Sequence, residues 1–349
     1  KMNNQTLISH VGFDSKGFGS ISDGKSDSTL IITNRREENI NLIKLLRKLY
    51  KNIEVFNLST SEIKNLTVDQ IIKNLDEINI NKLFSIGGGS IIDFSKRVKL
   101  ELEEKIKSNI DFFIIPSRIG SGAESSITSI VNSQGSKNIK TNLRYAPRGV
   151  IYYTDLYKSL NSNEFIKGVI DSIIHCVESI YSINKNSYLE FLSIYSINFI
   201  INSGVLTKLI NRSVLDKDDI KKLCILSFNG GIAQNNAGSG ICHALAHAAE
   251  EMTGLTHTQC ISFFCNSTIR FLGKYSKTYN EKFADELSHL IELMSEIIKV
   301  EEDLKALEKI VSNDSNINSL IERAKKDPCW RLFKGKINEN HLISELRIC

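Results

Sequence analysis

The first half of the chain alternates short apolar runs with segments whose apolar residues recur at helical spacing. The apolar runs are rich in β-branched and aromatic residues, which is typical of strands, and they cover residues 29–33, 53–56, 82–86 and 112–115. Helical spacing occupies residues 37–50, residues 68–75 and a segment from Ser90 onward. The last run, FFII, has no polar position, as in a strand buried on both faces. The pattern predicts an α/β domain with a doubly wound parallel sheet over residues 1–160.

From Asn161 onward the pattern changes, because Ile, Leu and Phe recur every three or four positions through several long segments. None of the three prolines, Pro116, Pro147 and Pro328, lies inside these segments, so nothing in them forces a helix to break. We therefore expect an all-α helical domain over residues 161–349.

Composition narrows the classes of function. A chain of 349 residues with 41% hydrophobic and 24% charged residues is long enough for two folded domains. The net charge of +4 is small and the charges are interleaved, which argues against binding to nucleic acid or to a membrane. No apolar run approaches the length of a membrane helix, and the start KMNNQT lacks the apolar core of a signal peptide. The 7 cysteines lack paired CxxC spacing, so we expect reduced thiols and a cytoplasmic protein.

A glycine-rich loop follows the apolar run at 82–86. Gly87, Gly88 and Gly89 precede Ser90, which opens a helical pattern, and this order lets a backbone approach the pyrophosphate of a dinucleotide. The alternative is a tight turn that needs positive φ and binds nothing. A dinucleotide site is the better interpretation of three consecutive glycines at this place.

A second loop of small residues, at 116–124, follows the FFII run. It contains Ser117, Arg118 and Ser121 and lies at the carboxyl end of another predicted strand, where ligands of open α/β sheets bind. A flexible turn without a ligand is the alternative interpretation. If the loop is functional, it faces the same crevice as the glycine-rich loop.

The first apolar run ends in Asn34, Arg35 and Arg36, at the place where dinucleotide enzymes commonly hold the adenosine ribose with an acidic residue. No acid is present at this end, and two arginines suit a 2′-phosphate, so the sequence favours NADPH over NADH. Ordinary solvated charges ahead of Glu37 and Glu38 are the alternative.

A possible metal site comes from two short segments of the helical half. Asp171 and His175 are four residues apart, as are His243 and His247, and His257 follows the second pair. Residues four apart on a helix project from one face. A lone histidine on an apolar helix is usually a hydrogen-bonded core residue, but here four of the 7 histidines are clustered. One aspartate with imidazoles is a ligand set suited to Fe²⁺ or Zn²⁺.

Five motifs, in this order along the chain, carry a family resemblance: GGGSIIDFSK at 87–96, PSRIGSGAE at 116–124, DSIIH at 171–175, NNAGSGICHALAH at 235–247 and THT at 256–258. The chain resembles the iron-containing (group III) alcohol dehydrogenases, within the superfamily that includes glycerol dehydrogenase and dehydroquinate synthase.

The resemblance implies roles for individual residues. It implies that Asp171, His175, His243 and His257 are the metal ligands and that His247 is a histidine beside the site. Ser90 and Asp93 join the three glycines in the dinucleotide motif by the same resemblance. It also implies a homodimer. The chain departs from the family at Ser117 and Arg118, where threonines are usual, and at Asn34 and Thr258, where aspartate and glycine are usual.

The resemblance implies a metal-dependent, NAD(P)H-linked alcohol dehydrogenase or aldehyde reductase, and we expect its substrate to be a small polar carbonyl compound, phosphorylated or phosphonate if basic residues form an anion pocket. His247 would relay a proton or support a ligand. A basic segment, Arg118, Lys140, Arg144 and Arg148, is either an anion pocket or, by slight preference, a solvated surface. The alternatives are a glycerol-dehydrogenase-like enzyme, a dehydroquinate-synthase-like lyase that does not consume its nucleotide, and a degenerate nucleotide-binding module.

Overall fold

The computed structural model of the chain describes residues 10–14, 18, 28–50, 52–59, 75, 80–133, 136–275, 281–301 and 304–348. The chain divides into two compact units, Lys1–Leu160 and Asn161–Cys349. The helix expected at 68–75 falls outside the described residues except for Leu75, so it stays a prediction. Among the helices that are described, none is both long enough and apolar enough to cross a membrane.

The strands described in the first unit are β1 (His10–Phe13), β2 (Ser28–Thr33), β3 (Asn52–Asn57), β4 (Lys82–Gly87), β5 (Asp111–Pro116), β6 (Thr128–Ser133), β7 (Ser136–Thr141) and β8 (Gly149–Tyr152). Six of them form a parallel sheet in the order β1-β8-β5-β4-β2-β3. Every residue of β4 and β8 is buried, as are five of the six in β2 and β5. This confirms the parallel, doubly buried sheet that the apolar runs predict.

Two α-helices are described in this unit, α1 (Glu37–Leu49) and α2 (Gly89–Ile106). Helix α2 packs on the sheet through Ile91, Phe94 and Val98. These side chains are buried in one cluster with strand residues that include Leu30 and Phe112. The burial of these apolar side chains is the main term that holds the helix on the sheet.

The register of the sheet brings three strand ends to one edge. Thr33 of β2 pairs with Ile86 of β4, and Gly87 pairs with Pro116 of β5. The chain runs from β2 outward to β3 and then returns to β4 on the other side of β2. The point between β2 and β4 is therefore a topological switch point, the place where open α/β sheets bind ligands at the carboxyl ends of their strands.

Strands β6 and β7 form an antiparallel hairpin that the apolar pattern does not predict. Polar and apolar residues do not alternate regularly in the hairpin. Buried charged side chains of α2 hold the hairpin in place. Arg97 donates to the hydroxyl and carbonyl of Ser129, at 2.8 and 3.0 Å. Lys96 donates to the carbonyl of Thr128 at 2.6 Å, and the carboxylate of Asp93 accepts the Ile130 N–H at 3.1 Å.

The second unit is helical, as predicted. Its described α-helices are α3 (Ser162–Tyr181), α4 (Ser187–Asn202), α5 (Val205–Ile210), α6 (Lys217–Ala237), α7 (Ile241–Thr253), α8 (His257–Tyr275), α9 (Glu281–Glu301), α10 (Lys305–Ser312), α11 (Asp314–Ala324) and α12 (Glu339–Leu346). Helix α3 begins at a capping box in which the side chain of Asn161 accepts the Glu164 N–H. Helix α6 packs closely on α3, because a Cβ at Gly230 would lie 2.8 Å from the Ser172 carbonyl oxygen.

Candidate functional site

Two helices of the second unit present the same spacing of polar residues. Each helix carries a predicted metal ligand, then a histidine four residues later and a glutamate three residues after the histidine. This spacing places all three side chains on one helix face. The triplets are Asp171, His175 and Glu178 on α3, and His243, His247 and Glu250 on α7.

The structure brings Asp171, His175 and His243 together in the interior of the unit, with one ligand atom of each within 4.8 Å of the others. The Nε2 atoms of His175 and His243 lie 3.1 Å apart. The Oδ1 atom of Asp171 is 3.4 Å from the first nitrogen and 3.7 Å from the second. Within the described residues this buried Oδ1 accepts no hydrogen bond.

His257, the fourth predicted ligand, lies beside this group at the start of α8. Its ring centroid is 5.4 Å from that of His243 and 5.3 Å from that of His247. Its Nδ1 lies 2.6 Å from Glu250 Oε1, so a proton on Nδ1 leaves the Nε2 lone pair available. The histidines of the two helices and of α8 therefore form one continuous cluster.

The electrostatics of the group favour a positive charge at its centre. Burial would raise the pKa of Asp171, but the neighbouring imidazoles outweigh it and lower that pKa to about 2. Burial lowers the pKa of His175 to about 4. Burial also opposes the charged form of His243, but Glu178 and Asp171 together raise the pKa of His243 to about 10. The negative charges of Asp171 and Glu178 thus favour a positive charge between them.

Three carboxylates that the sequence motifs did not single out lie next to the Nδ1 atoms of the histidines. Glu178 Oε2 is 2.6 Å from Nδ1 of His243, and Asp327 Oδ2 is 2.8 Å from Nδ1 of His247. Glu250 plays the same part for His257. The glutamates were detectable as the third member of each helical triplet. Asp327 was not, because it lies 80 residues from His247 in the chain.

These residues fit a divalent transition metal. The unpartnered Oδ1 of Asp171 and two Nε2 atoms face one point, and a third imidazole adjoins them. Oxygen and nitrogen donors of this kind suit Fe²⁺ or Zn²⁺. The carboxylates on the Nδ1 atoms are the partners that metal-binding histidines almost always have.

His247 lies at the border of the cluster, next to an open cavity. The cavity measures about 610 Å³ and is lined by His247, Asp327 and residues of α11, among them Arg323. Burial would raise the pKa of Asp327, but hydrogen bonds from His247 and from the Cys329 N–H lower it to about 2. Burial lowers the pKa of His247. A neutral His247 with Nδ1–H held by Asp327 has Nε2 free to accept a proton.

The glycine-rich loop of the first unit joins β4 to α2 at the switch point. A Cβ at Gly87 would lie 2.7 Å from Cβ of Ile91, so glycine is needed where the helix crosses the strand. Gly88 is the N-cap residue, no side chain caps the helix, and the hydroxyl-bearing Ser90 is exposed in the first turn. The N–H groups of this turn are therefore free of a side-chain cap, as an anion site requires.

The second loop lies against the first. The Ser117 N–H donates to the Gly87 carbonyl at 3.0 Å, and a Cβ at Gly89 would lie 3.0 Å from Ser121 Oγ. The buried Ser117 hydroxyl has no hydrogen-bond partner among the described residues. Arg118 is exposed, and its stem passes Gly88. Both loops thus border one edge of the sheet with an unpartnered hydroxyl and a cation.

Asn34, Arg35 and Arg36 follow β2 at the same edge. The Arg36 guanidinium donates to the Ser117 carbonyl at 3.2 Å and to the Ser159 hydroxyl at 2.5 Å, so it holds the second loop. Asn34 Oδ1 accepts a hydrogen bond from the Asn39 side chain at 2.5 Å. Arg35 is exposed. Of the two arginines, Arg35 is the more exposed.

Among the remaining predicted residues, Asp93, Arg144 and Arg148 have partners within the first unit. The carboxylate of Asp93 lies 3.1 Å from Lys96 and serves the hairpin β6–β7. Arg144 pairs with Glu103 at 2.9 Å, and Arg148 pairs with Asp111. Lys140 is exposed on β7. These ion pairs favour the solvated-surface interpretation of the basic segment over an anion pocket.

Family comparisons agree with this architecture. Residues 16–153 match the model of the iron-containing alcohol dehydrogenases, and residues 165–324 match that of the C-terminal region of the Fe-containing alcohol dehydrogenase family. The chain is 27% identical over 248 residues to 4-hydroxybutyrate dehydrogenase of Clostridium kluyveri. That match covers 67% of this chain and 65% of the relative, slightly under two thirds of its length.

Solved structures share the fold. A crystal structure of 1,3-propanediol oxidoreductase superimposes with a TM-score of 0.79 at 15% identity, covering 100% of both chains. Sulfoacetaldehyde reductase from Bifidobacterium kashiwanohense, solved in complex with NAD⁺, gives 0.79 at 14% identity and covers 99% of this chain and 98% of its own. Together with the two family models, which span most of the sequence, these likenesses lead to one conclusion: the chain belongs to the iron-containing alcohol dehydrogenase family.

Proposed function

We propose that this protein is a metal-dependent, NAD(P)H-linked alcohol dehydrogenase that reduces a small polar aldehyde or ketone, or oxidises the corresponding alcohol. The observation that carries the proposal is the convergence of Asp171, His175 and His243 on one point, with a buried carboxylate oxygen that lacks a partner among the described residues. His257 completes the proposed ligand set, and Fe²⁺ is the proposed metal, with Zn²⁺ as the alternative.

The proposed reaction is R₂C=O + NAD(P)H + H⁺ → R₂CHOH + NAD(P)⁺. When bound, the metal ion supplies Lewis-acid polarisation of the carbonyl, and the reduced nicotinamide supplies the hydride. Asp171, His175, His243 and His257 would hold the ion. His247 delivers the proton from Nε2, while Asp327 holds its Nδ1–H and so fixes the tautomer.

The dinucleotide is held by the edge of the sheet where β2, β4 and β5 end. We assign the pyrophosphate to the N–H groups of Gly89 and Ser90 and to the Ser117 hydroxyl, with Arg118 and Ser121 at its border. Asp93 contributes by fixing α2 through Lys96 and the hairpin. The first glycine, Gly87, lets α2 approach the strand.

NADPH is the proposed nucleotide, and Arg35 is the proposed contact of its 2′-phosphate, with Asn34 and Arg36 shaping the loop. In this proposal Arg35→Ala raises the Kd for NADPH about tenfold, as expected for one lost charge-assisted hydrogen bond, and leaves the Kd for NADH unchanged. Nucleotide fluorescence measures both. An equal change in the Kd for NADPH and for NADH would show that Arg35 does not contact the 2′-phosphate.

The proposed substrates are small polar carbonyl compounds, with anionic ones first. The names of two similar proteins support this choice, because 4-hydroxybutyrate carries a carboxylate and sulfoacetaldehyde a sulfonate. Phosphonate and phosphorylated aldehydes belong to the same chemical class, with the anion at the end opposite the carbonyl.

The experiment is a screen of NADPH and NADH oxidation with protein loaded anaerobically with Fe²⁺. Succinate semialdehyde, sulfoacetaldehyde and phosphonoacetaldehyde are compared with uncharged aldehydes of equal length, and the bound metal is measured in the same sample. We expect turnover that favours an anionic aldehyde. Bound metal without turnover of any aldehyde or ketone would overturn the proposed activity.

The same assay separates the alternatives by stoichiometry. A dehydroquinate-synthase-like lyase leaves its NAD⁺ unconsumed, whereas a dehydrogenase oxidises one NAD(P)H for each alcohol formed. A degenerate nucleotide-binding module retains no metal, and its nucleotide binding is unaffected by His243→Ala. A cytoplasmic location and a homodimer stay predictions from the sequence.

A further inference from the structure

Glu178 is a buried carboxylate with an unusual number of donors. Its side chain is 1% exposed. Oε2 accepts the Gly240 N–H at 2.6 Å, and Oε1 accepts the N–H groups of Cys242 and His243 at 2.6 and 3.3 Å. Oε2 is also 2.6 Å from Nδ1 of His243. One carboxylate therefore binds three backbone donors and one imidazole.

The backbone donors are those at the beginning of α7. The first N–H groups of a helix have no partner within the helix, and the helix dipole makes this end favourable for a negative charge. The N-cap residue is Gly240, which has no side chain that could accept a hydrogen bond from these N–H groups. Glu178 of α3 takes that place from a neighbouring helix. It thereby ties the two helices that carry Asp171, His175 and His243.

The chain leaves room for this contact. A Cβ at Gly240 would lie 3.1 Å from both Cδ and Oε1 of Glu178, closer than side chains normally approach. Gly238, two residues earlier, has φ +79°, and a Leu332 methyl group occupies the place that a Cβ would take there. The Gly-Ser-Gly turn ahead of α7 is therefore shaped around the carboxylate and its neighbours.

The contact with His243 decides which nitrogen faces Asp171. A carboxylate beside Nδ1 accepts the Nδ1–H hydrogen bond, so Nε2 is the nitrogen that faces Asp171 and His175 and that can offer its lone pair to a cation. A buried negative charge behind the ring also makes Nε2 a stronger electron donor. Both effects would reach a bound cation through His243.

We propose that Glu178 is a positioning residue that prepares His243 as a metal ligand, by fixing its ring and its tautomer and by holding the beginning of α7 against α3. This inference rests on the proposed function of the Asp171–His175–His243 group. Glu178 would support that group without itself touching the substrate or the metal.

The test compares Glu178→Gln with Glu345→Gln. Glu345 is also a buried carboxylate of the second unit, but within the described residues its side-chain partners are Arg270, Lys274 and His341, and none of the four clustered histidines. Both variants lose one buried charge. Zn²⁺ affinity is measured by competition with a chelator, and the melting temperature is measured with and without Zn²⁺.

We expect Glu178→Gln to weaken Zn²⁺ binding by about 10- to 100-fold, the usual effect of removing the partner of a ligating histidine. Glu345→Gln should lower the melting temperature and leave Zn²⁺ affinity unchanged. If Glu178→Gln lowers the melting temperature but binds Zn²⁺ as tightly as the parent protein, Glu178 is structural only and the proposal is wrong. If the parent protein binds no metal, the proposed function fails first.

A second measurement covers the case in which Glu178→Gln does not fold. In the unsubstituted protein labelled with ¹⁵N-histidine and loaded with ¹¹³Cd²⁺, the His243 signals, assigned with His243→Asn, should show a protonated Nδ1 and cadmium coupling at Nε2. Coupling at Nδ1 would overturn the proposal without any variant of Glu178.

Discussion

At the scale of single residues, His247 differs from the other clustered histidines. Its Nδ1 is hydrogen-bonded to Asp327 and it borders an open cavity. It lies outside the group formed by Asp171, His175 and His243. The ring centroid of His257 lies 5.4 Å from that of His243, whereas that of His247 lies 6.2 Å away. We therefore expect His247 to carry a proton and His257 to complete the ligand set.

His247→Asn tests this separation. We expect kcat to fall by about 10²- to 10⁴-fold, because general acid catalysis contributes about that much, while metal content and KM change little. Asp327→Asn should have a smaller effect on kcat in the same direction, since it removes only the partner that orients the ring. Loss of metal from His247→Asn would instead make His247 a ligand or the support of one.

At the scale of elements, the crossing of α3 and α6 sets the position of Asp171. The Ser172 carbonyl lies where a Cβ of residue 230 would be, and Ser172 follows Asp171 in the chain. Helices can approach this closely only where one of them lacks a side chain. Gly230 is therefore required by packing and not by backbone conformation.

Gly230→Ala should push α6 away from α3 and lower the free energy of unfolding by about 1–3 kcal/mol, the usual cost of overpacking. Because the displacement reaches Asp171, metal affinity should fall as well. The control is Gly204→Ala, which costs about 1 kcal/mol through its φ of +75° but meets no atom within 4 Å. Urea unfolding and metal competition measure both. A control that weakens metal binding as much as Gly230→Ala would contradict this account.

The last helix depends on one buried carboxylate. Glu345 of α12 lies 3.0 Å from Arg270 and 2.6 Å from Lys274, both on α8, the helix that begins at His257. Burial would raise the pKa of Glu345, but the hydrogen bonds from Lys274 and Arg270 lower it below the ordinary value of 4.5. A lowered pKa means that the carboxylate stabilises the fold above pH 4.5 and that this stabilisation is lost as the pH falls further.

We therefore expect Glu345→Gln to lower the free energy of unfolding at pH 7 by about 1–3 kcal/mol, since two charged donors lose their buried acceptor. The difference from the parent protein should shrink as the pH falls below 4.5. Lys274→Ala removes an exposed partner and should cost less than about 1 kcal/mol. A difference that stays constant between about pH 7 and pH 4 would show that the ion pairs contribute nothing.

At the scale of the whole molecule, the α/β and helical halves are predictable from the sequence because their burial patterns differ. Strands such as FFII are buried on both faces, and a segment such as 165–182 repeats its apolar residues at helical spacing. The sequence alone also predicts that Asp171 lies near His175, because residues i and i+4 of a helix share a face.

What the sequence could not predict depends on contacts between distant segments. The hairpin β6–β7 has little apolar alternation and is held by Lys96 and Arg97 of a helix about 30 residues earlier. Asp327 reaches His247 across 80 residues. Arg36 is a candidate for a 2′-phosphate contact by its place in the sequence, yet its guanidinium is engaged with Ser117 and Ser159. Polar networks of this kind leave no periodic signal in the chain.

We propose that Asp171, His175, His243 and His257 hold a metal ion on which reduction of a carbonyl compound depends. The most direct measurement is a titration of metal-free protein with Fe²⁺ under anaerobic conditions, with bound metal and the rate of NADPH oxidation recorded at each step. We expect the rate to rise in proportion to bound metal and to saturate at about one ion per chain. Full activity in metal-free protein, or tight binding of the ion with no change in rate, would contradict it.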